Sequence, residues 1–351
     1  MTPRKTISKR LVFFLAVLPL FVAAVHTALF LLRPPSTVRE YREVLIAEGS
    51  SFRTVASQLE KEGIITSRET FIAIGRLMGV TKSIRAGFYS LNTNMRPLEV
   101  LDYLKAGRII EYQVVLPEGY TMDRVAGVLE QSGLTTRPAF LARACDPAYV
   151  RSLGLEGDTL EGYLFPATYY LQKGISLDGM IRRMVSKYRE VMSEDLKARA
   201  SEMRMTEREA VIMASLVERE AKLDAERPLI SAVFHNRLRL GMPLQCDSTI
   251  IYYLERRGGW NGDLTKADLR RKDPYNSYVN KGLPPGPIAN PGKPSIIAAL
   301  YPADVDYIFF VSRNDGSHFF SSNLAEHNRA VNEFQKSLKM KDYTTAGANA
   351  E

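Results

Sequence analysis

Cysteine, histidine and tryptophan are scarce in this chain, with two, four and one of them in 351 residues. The two cysteines, Cys145 and Cys246, fit neither a metal-ligand spacing nor a CxxC redox pattern. The histidines are too scattered in the sequence to indicate a metal site. Two isolated small core residues explain the cysteines best, although in an oxidising compartment they could pair.

The charge balance favours an anionic partner other than nucleic acid. Hydrophobic residues make up 45% and charged residues 25% of the chain, which is typical of a globular protein. The formal net charge is +8, and a basic surface suits nucleic acid, a membrane surface or an acidic polymer. Because the sequence has no zinc-finger spacing, no RNP motif and no stripe dense in lysine and arginine, we expect no nucleic-acid partner.

The amino terminus has the pattern of a membrane anchor. Cations at positions 4, 5, 9 and 10 precede an uncharged apolar run, residues 11–32. About 20 apolar residues cross a bilayer as a helix, and cations before the run favour a cytoplasmic amino terminus. We expect residues 1–36 to form a cytoplasmic end and one transmembrane helix (11–32), with the rest on the periplasmic face of the inner membrane. A cleaved signal peptide is the alternative, since Ala23, Ala24 and Ala28 could form a cleavage site.

An internal repeat follows, with its two copies 70 residues apart. Each copy has an apolar strand, a Glu-Gly turn (Glu48-Gly49 and Glu118-Gly119) and a helix that Ser51 or Thr121 can cap. Both helices carry an apolar stripe with helical spacing: Phe52, Val55, Ala56 and Leu59 in the first copy, and Met122, Val125, Ala126 and Leu129 in the second. We expect a second helix and an aromatic strand to complete each copy, the strands lying near residues 87–89 and 162–169.

The first copy resembles a LysM module, a small βααβ glycan-binding unit. The match is its apolar–Glu–Gly–Ser–x–x–x–x–Val-Ala–x–x–Leu pattern. Patterns this short also occur in small α+β units that only pack against the rest of a chain, so glycan binding by this copy stays open. We expect a LysM-like subdomain over residues 39–110 and a second repeat-related subdomain over residues 111–175.

A larger lobe, residues 176–342, completes the predicted α+β architecture as a mixed α/β unit, followed by a tail (343–351). One or two amphipathic helices are expected between residues 177 and 203. The run 307–311 is typical of a buried strand, and Phe319-Phe320 can pair with it across Asn314-Asp315-Gly316, since Asp-Gly is a hairpin signal. A last helix is expected over about residues 323–339.

One helix of this lobe places a carboxyl group beside an apolar stripe. Thr206 and Glu209 form a capping box at its start. Glu218 flanks the apolar face, and Arg219 should point to solvent. An apolar environment raises the pKa of a carboxylic acid, as a general acid near neutral pH requires. An ordinary surface glutamate fits the pattern too, and Glu220 is the second candidate.

The loops downstream hold amide, hydroxyl and aromatic side chains that suit sugar recognition. A helix ending at Gly241 leads into an extended polar stretch up to residue 249, and a loop rich in proline and glycine, residues 282–292, suits a groove wall. Loops of this kind can equally cover a core. The candidate substrate-binding residues are Asn236, Arg237, Gln245, Thr249, Tyr275, Asn276, Asn290, His318 and Asn323.

These segments together resemble the MltG/YceG-like endolytic murein transglycosylase family. The match rests, in order, on residues 214–220, Asn236-Arg237-Leu238 with Gly241-Met242 and Leu244-Gln245, Tyr275-Asn276-Ser277-Tyr278, residues 282–288 and Glu326-His327-Asn328. The single amino-terminal span and the LysM-like unit also fit that family. Cys246 and Ser248 depart from the expected pattern, which affects fine substrate contacts rather than the reaction. The resemblance implies that residues 176–342 form the catalytic lobe, with Glu218 as the catalytic acid.

The resemblance also implies the reaction. It is non-hydrolytic cleavage of peptidoglycan between N-acetylmuramic acid and N-acetylglucosamine, which leaves 1,6-anhydro ends. The nucleophile belongs to the substrate, so neither a metal nor an organic cofactor is implied. The implied partners are nascent glycan strands, the cytoplasmic membrane and peptidoglycan synthases.

Two other functions fit the same residues. A muramidase-type hydrolase would use Glu218 as acid and Asp247 or Asp263 as base, and it would leave reducing ends. A non-enzymatic, membrane-anchored scaffold would bind glycan through the repeats, with Glu218 in a structural role.

Overall fold

The structure, a computed structural model, describes residues 9–336, without the side chains of residues 9–16, 82 and 336. Two compact units divide the chain. The first runs to Tyr112 and includes Tyr170–Ile175, and the second contains Gln113–Tyr169 and the chain from Ser176 onward. The finer division at residues 39–110, 111–175 and 176–342 stays a prediction, and the predicted tail (343–351) lies outside the described residues.

The first unit is a two-stranded sheet covered by short helices. Its elements are α1 (Lys9–Leu32), β1 (Tyr41–Ile46), α2 (Phe52–Lys61), α3 (Arg68–Leu77), a 3-10 turn (Val80–Lys82), β2 (Gly87–Asn92) and α4 (Pro97–Lys105). Strands β1 and β2 are antiparallel, with Tyr41 opposite Asn92 and Ile46 opposite Gly87. Alternate residues of each strand turn inward, so Val44, Ile46, Tyr89 and Leu91 join the core.

Helix α1 contains the predicted anchor. No helix within the described residues is long and apolar enough to cross a membrane. The predicted span begins in residues 11–16, whose side chains are not described. Near the other end of the helix, Phe30 is 7% exposed and belongs to the core of the first unit. The membrane anchor therefore stays a prediction.

The rest of the chain is mostly helical. Its strands and first helices are β3 (Glu111–Val115), α5 (Met122–Gln131), α6 (Arg137–Ala144), α7 (Pro147–Ser152), β4 (Thr168–Gln172), α8 (Leu177–Val191), α9 (Glu194–Glu202) and α10 (Glu207–Glu220). A 3-10 turn (Asp224–Glu226) precedes α11 (Arg227–Arg239), α12 (Asp247–Arg256), α13 (Lys266–Leu269), α14 (Lys293–Leu300), β5 (Phe309–Ser312), β6 (His318–Ser321), α15 (Leu324–Val331) and a π-helical turn (Asn332–Lys336). Strand β3 pairs with β4, and β5 pairs with β6 as an antiparallel hairpin. The α+β class is confirmed, but the lobe predicted to be mixed α/β is helical with one hairpin over its described residues, 176–336.

The predicted helix caps and glycine turns of the repeat are confirmed. Ser51 accepts a hydrogen bond from Thr54 N at 3.1 Å, and Thr121 accepts one from Arg124 N at 3.3 Å, so both cap their helices. Gly49 and Gly119 have φ of +75° and +74°, a left-handed conformation that a glycine adopts without strain.

Two predicted boundaries were wrong. The aromatic strand expected at residues 162–169 begins only at Thr168, because Gly162 has φ +88° and its Cα lies against Pro287 and Val211. The stretch predicted to be extended up to residue 249 becomes helix α12 at Asp247, where Ile250, Tyr253 and Leu254 pack together with helical spacing. The last predicted helix, about residues 323–339, is α-helical over Leu324–Val331 and π-helical over Asn332–Lys336, and its predicted end lies outside the described residues.

Candidate active site

Helix α10 carries Glu218 in its last turn. The predicted capping box starts the helix: Thr206 Oγ1 accepts Glu209 N at 3.1 Å, and Glu209 Oε2 accepts Thr206 N at 2.8 Å. Every residue from Ala210 to Val217 is buried. A helix covered on all sides is held rigidly, so the position of Glu218 is fixed by packing.

The Glu218 carboxylate lies among polar donors. Its side chain is 6% exposed, and Oε2 accepts the Gly292 N–H at 3.0 Å and lies 3.3 Å from Arg227 Nη1. Gly292 is the N-cap of α14, so the amide belongs to the positive end of that helix. The apolar environment predicted for Glu218 was therefore wrong, because a buried cation and a helix amino terminus lie beside the carboxylate.

Arg227 is shared by several carboxylates. Its side chain is 8% exposed, and Nε donates to Asp224 Oδ1 at 2.9 Å. Nη1 also donates to Ser295 Oγ, and Nη2 lies 4.0 Å from Glu118 Oε2. One buried guanidinium thus faces Glu218, Glu118 and Asp224.

Glu118 comes from the turn of the second repeat copy. Its side chain is 47% exposed. Burial raises the pKa of the Glu118 carboxyl, the Glu218 charge raises it further, and Arg227 acts against both. A Cβ added at Gly292 would lie 1.9 Å from Glu118 Oε1. Because that distance is far below van der Waals contact, the Glu118 carboxyl occupies the space that a side chain at position 292 would need.

Asn290 fixes the backbone of this turn. Its carbonyl accepts Gly119 N at 3.0 Å, and its own N–H and Nδ2 donate to Tyr120 O at 2.9 and 2.8 Å. Asn290 Oδ1 also accepts Leu164 N at 2.9 Å. Arg219 was predicted to point to solvent, but its Nη1 lies 3.5 Å from Gly119 O and the residue is half-buried.

Glu161 supports the same turn from the interior. The residue is buried, and its Oε1 accepts Met122 N at 2.8 Å while Oε2 accepts the Tyr252 hydroxyl at 3.2 Å. Burial raises the pKa of the Glu161 carboxyl to about 7, against these two hydrogen bonds, which lower it. A carboxyl in this environment is protonated in part near neutral pH.

A cavity of about 550 Å³ lies beside Glu220, the second candidate acid. Three predicted substrate-binding residues line it: Arg237, Gln245 and His318. Cys246 Sγ lies 3.0 Å from Glu220 Oε1. Residues two apart on a helix point about 200° away from each other. Glu220 and Glu218 therefore lie on opposite sides of α10.

Arg237 and His318 hold the walls of this cavity. Arg237 Nε donates to Ile308 O at 2.7 Å, and Nη1 donates to Leu244 O at 2.9 Å and Gln245 Oε1 at 3.1 Å. Gln245 has φ +52°, an uncommon conformation for a side-chain-bearing residue. His318 Nδ1 lies 2.7 Å from Glu226 Oε2.

The other predicted substrate-binding residues have partners within the protein. Asn236 Nδ2 donates to Val305 O at 2.8 Å, and Thr249 Oγ1 donates to Cys246 O at 2.7 Å. Asn276 Nδ2 donates to Arg271 O at 2.7 Å. The centroid of the Tyr275 ring lies 5.2 Å from that of Tyr252, and Asn323 caps α15. Thr249, Asn276 and Asn290 are buried. Their part in substrate binding stays a prediction.

The two acids considered for a hydrolase lie elsewhere. Asp247 lines the cavity beside Glu220 and accepts the Tyr278 hydroxyl at 2.5 Å, and Asp263 is exposed. In the described part of the chain, no group of three or more His, Cys, Asp or Glu side chains could hold a metal ion. Both cysteines are free.

Sequence reasoning missed Glu118, Arg227 and Glu161. The sequence shows Glu118 as the acid of the repeated Glu-Gly turn, but the repeat predicted only that it lies in a turn and indicated no functional role. Arg227 and Glu161 had no such signal, because each acquires its role from partners that are distant in sequence.

Comparison with known proteins gives one consistent family. A protein from Bacillus subtilis (strain 168) named endolytic murein transglycosylase is 33% identical over 84% of this chain and 85% of its own length. A protein of the same name from Streptococcus pneumoniae (strain D39) is 31% identical over 84% of this chain and 58% of its own length. A crystal structure of a yceG-like protein from Listeria monocytogenes matches with a TM-score of 0.57 and 32% identity, over 84% of this chain and all of that one.

The names of these relatives agree with the prediction of a lytic transglycosylase enzyme. The model of the YceG-like family matches residues 44–333, a range that contains both repeat copies, Glu218 and Arg227. The predicted family is therefore confirmed: this chain belongs to the YceG-like family.

Proposed function

We propose that this chain cuts peptidoglycan glycan strands internally, between N-acetylmuramic acid and N-acetylglucosamine, and leaves 1,6-anhydro ends. The observation that carries the proposal is the match of relatives named endolytic murein transglycosylase over 84% of the chain. The matched family region includes the described carboxyl site at the end of α10.

Glu218 is the proposed catalytic carboxyl. As an acid it would protonate the leaving glycosidic oxygen, and as a carboxylate it would take the proton of the muramic C6 hydroxyl while that oxygen attacks the anomeric carbon. The substrate supplies the nucleophile, so no second carboxyl is needed to activate water. The Gly292 N–H at 3.0 Å and Arg227 at 3.3 Å support this role, because fixed donors hold the carboxylate in one orientation.

The cavity beside Glu220 makes that residue the rival catalytic carboxyl. It opens to a volume of about 550 Å³ next to Arg237, Gln245 and His318, which suit sugar binding. Because Glu218 and Glu220 point to opposite sides of α10, the two assignments place the scissile bond at different surfaces. Single substitutions of Glu218 and Glu220 distinguish the two assignments.

The amino-terminal run 11–32 is the proposed membrane anchor. Held at the inner membrane with both units on the periplasmic face, the enzyme would meet nascent glycan strands along their length, which favours internal cuts. Association with peptidoglycan synthases is part of the same proposal and follows from the resemblance alone.

The test is a digest of purified peptidoglycan by the full chain in detergent, with the products identified by mass spectrometry. We expect anhydro-muramic ends from the wild type, and a rate at least about 100-fold lower from Glu218→Gln, the loss typical of removing a general acid–base group. Glu111→Gln is the matched control, because Glu111 is exposed and makes no ion pair within the described residues.

Each other result has a definite meaning. If Glu220→Gln abolishes cleavage and Glu218→Gln does not, the catalytic assignment moves to the cavity beside Glu220. Reducing ends in place of anhydro ends would identify a hydrolase. A folded wild type that binds glycan without cutting it would be a scaffold.

A further inference from the structure

The Glu118 and Glu218 carboxyls lie at the same guanidinium but differ in access to solvent. We propose that Glu118 is a second catalytic carboxyl, which donates the proton to the leaving sugar oxygen, while Glu218 acts as the carboxylate that accepts the proton of the attacking hydroxyl. This inference rests on the proposed function, and it divides between two groups the steps assigned above to one.

The contacts of Glu218 suit the accepting role. Its Oε2 faces Arg227 at 3.3 Å and the Gly292 amide at 3.0 Å, and its side chain is 6% exposed. Two fixed donors hold this carboxylate oxygen in one orientation. A carboxylate that is held in this way is placed to accept the proton of a bound hydroxyl.

The contacts of Glu118 suit the donating role. Its side chain is 47% exposed, so a glycan can reach it, and its nearest cation, Arg227 Nη2, is 4.0 Å away. The groups that act on its charge are Glu218 on α10, Asp224 on the 3-10 turn and Arg227 on α11. Burial and the Glu218 charge raise the pKa of Glu118. Two acids whose environments differ in this way commonly divide acid and base roles.

The surrounding backbone holds Glu118 at this place. Asn290 binds the Gly119-Tyr120 backbone through three hydrogen bonds of 2.8–3.0 Å. Gly292 leaves the space that the Glu118 carboxyl occupies. These contacts keep the Glu118 carboxyl beside Glu218 and Arg227.

The step balances in atoms and charge. The bond from the muramic anomeric carbon to the leaving oxygen breaks, and that oxygen takes the Glu118 proton. The muramic C6 oxygen forms the new bond to the anomeric carbon, and its proton passes to Glu218. Exchange with solvent then returns Glu118 to its acid and Glu218 to its carboxylate form.

The first test compares Glu118→Gln with the wild type and with Glu111→Gln, using the full chain and purified peptidoglycan over a range of pH. We expect kcat to fall at least about 100-fold with a small change in KM. The residual activity should also lose the alkaline limb of the pH profile, since that limb reports deprotonation of the acid. Glu118→Asp should recover part of the rate.

A second variant displaces the Glu118 carboxyl without substituting Glu118 itself. Gly292 has φ −77°, so alanine fits the backbone, but its Cβ would displace the Glu118 carboxyl. We expect Gly292→Ala to fold and to lose activity together with Glu118→Gln. Wild-type rates and an unchanged alkaline limb in both variants would overturn the proposal.

An infrared pH titration of the full chain tests the pair without requiring activity. The difference between wild type and Glu118→Gln isolates the protonated Glu118 carboxyl band. In a Glu218→Gln background this band should disappear at lower pH, because one cause of the raised Glu118 pKa is gone. An unchanged titration would mean that the two carboxyls are not coupled and would overturn the proposal. Reducing ends from a wild type that still depends on Glu118 would refute the transglycosylase and leave the carboxyl pair standing.

Discussion

In the first repeat copy the Glu48-Gly49 turn leads into α2 through Ser51, and in the second copy the Glu118-Gly119 turn leads into α5 through Thr121. The backbones agree closely, with φ of +75° at Gly49 and +74° at Gly119. Even the support of the next helix is repeated: Glu60 Oε1 accepts Arg68 N at 3.0 Å, and Glu130 Oε1 accepts Arg137 N at 2.9 Å. Local sequence determines these features, and it determines them alike in both copies.

The surroundings of the two turns differ. Glu48 is exposed and has no ion pair in the part of the chain that the structure describes, and a Cβ at Gly49 would meet no atom within 4 Å. The first turn borders an open cavity of about 500 Å³. Around the second turn, Asn290 and Glu161 bind the backbone, and Arg227 faces the Glu118 carboxyl. The same turn is thus a surface feature in one copy and part of a charged site in the other.

Among the predicted changes, the loss of Arg227 should have the largest effect on stability and activity. In Arg227→Met the buried Glu218 loses its cation, and breaking a buried ion pair by removing one partner costs about 3–5 kcal/mol of unfolding free energy. We also expect anhydro-end formation to fall to the level of Glu218→Gln. Urea unfolding and the peptidoglycan digest measure the two effects.

Arg76→Met in the first unit is the control for that substitution. Arg76 is exposed on α3 and has no ion pair among the described residues, so its loss should change the unfolding free energy by less than about 0.5 kcal/mol. If Arg227→Met costs as little as Arg76→Met, the carboxylates are not held by Arg227, and the contrast between the two turns is lost.

The sequence was sufficient for the features that local chemistry sets. Ser51, Thr121 and Thr206 identified three helix starts, and Asp315-Gly316 identified the β5–β6 hairpin. Boundaries that depend on distant packing were missed. Gly162 interrupts an aromatic run because Pro287 and Val211 lie against it, and neither contact has a trace in the run itself.

The candidate site divides in the same way. Glu218 was found as a carboxyl at the edge of a helix stripe, but its polar surroundings come from α11 and the start of α14. The substrate-binding candidates were chosen by side-chain chemistry, which does not predict whether a side chain is exposed to solvent. Arg237, Gln245 and His318 therefore line a cavity, whereas Thr249 and Asn276 are buried with internal partners. Which polar residues remain open depends on the whole fold.

Glu161→Gln should change the unfolding free energy by an amount that depends on pH. The carboxyl has an ordinary pKa of 4.5 when unfolded and about 7 when folded. Between these values the folded state binds more protons, so Glu161 contributes less to stability as pH rises, and the change levels off only once the pH is well above 7. Glutamine does not titrate. The unfolding free energy of Glu161→Gln relative to wild type should rise by roughly 2–3 kcal/mol between pH 5 and pH 8.

Urea unfolding at the two pH values measures this change, with Glu111→Gln as a control expected to show little difference. A relative free energy that stays flat would mean that Glu161 is ionised in the folded protein throughout this range. The second turn would then be supported by a buried charge instead of a protonated acid.

The smallest expected effect lies in the helices that follow the two turns. At matched positions α2 has Ser57 and α5 has Gly127, and a Cβ at Gly127 would meet no atom within 4 Å. Glycine inside a helix costs about 0.5–1 kcal/mol relative to alanine. Gly127→Ala should therefore stabilise the protein by that amount in urea unfolding, and Ser57→Gly should destabilise it by somewhat less. Opposite changes of similar size would show that the two helices are equivalent and that the copies differ only at the turn. A loss of stability in Gly127→Ala would instead mean that the added methyl group clashes with a neighbour of α5 that α2 does not have.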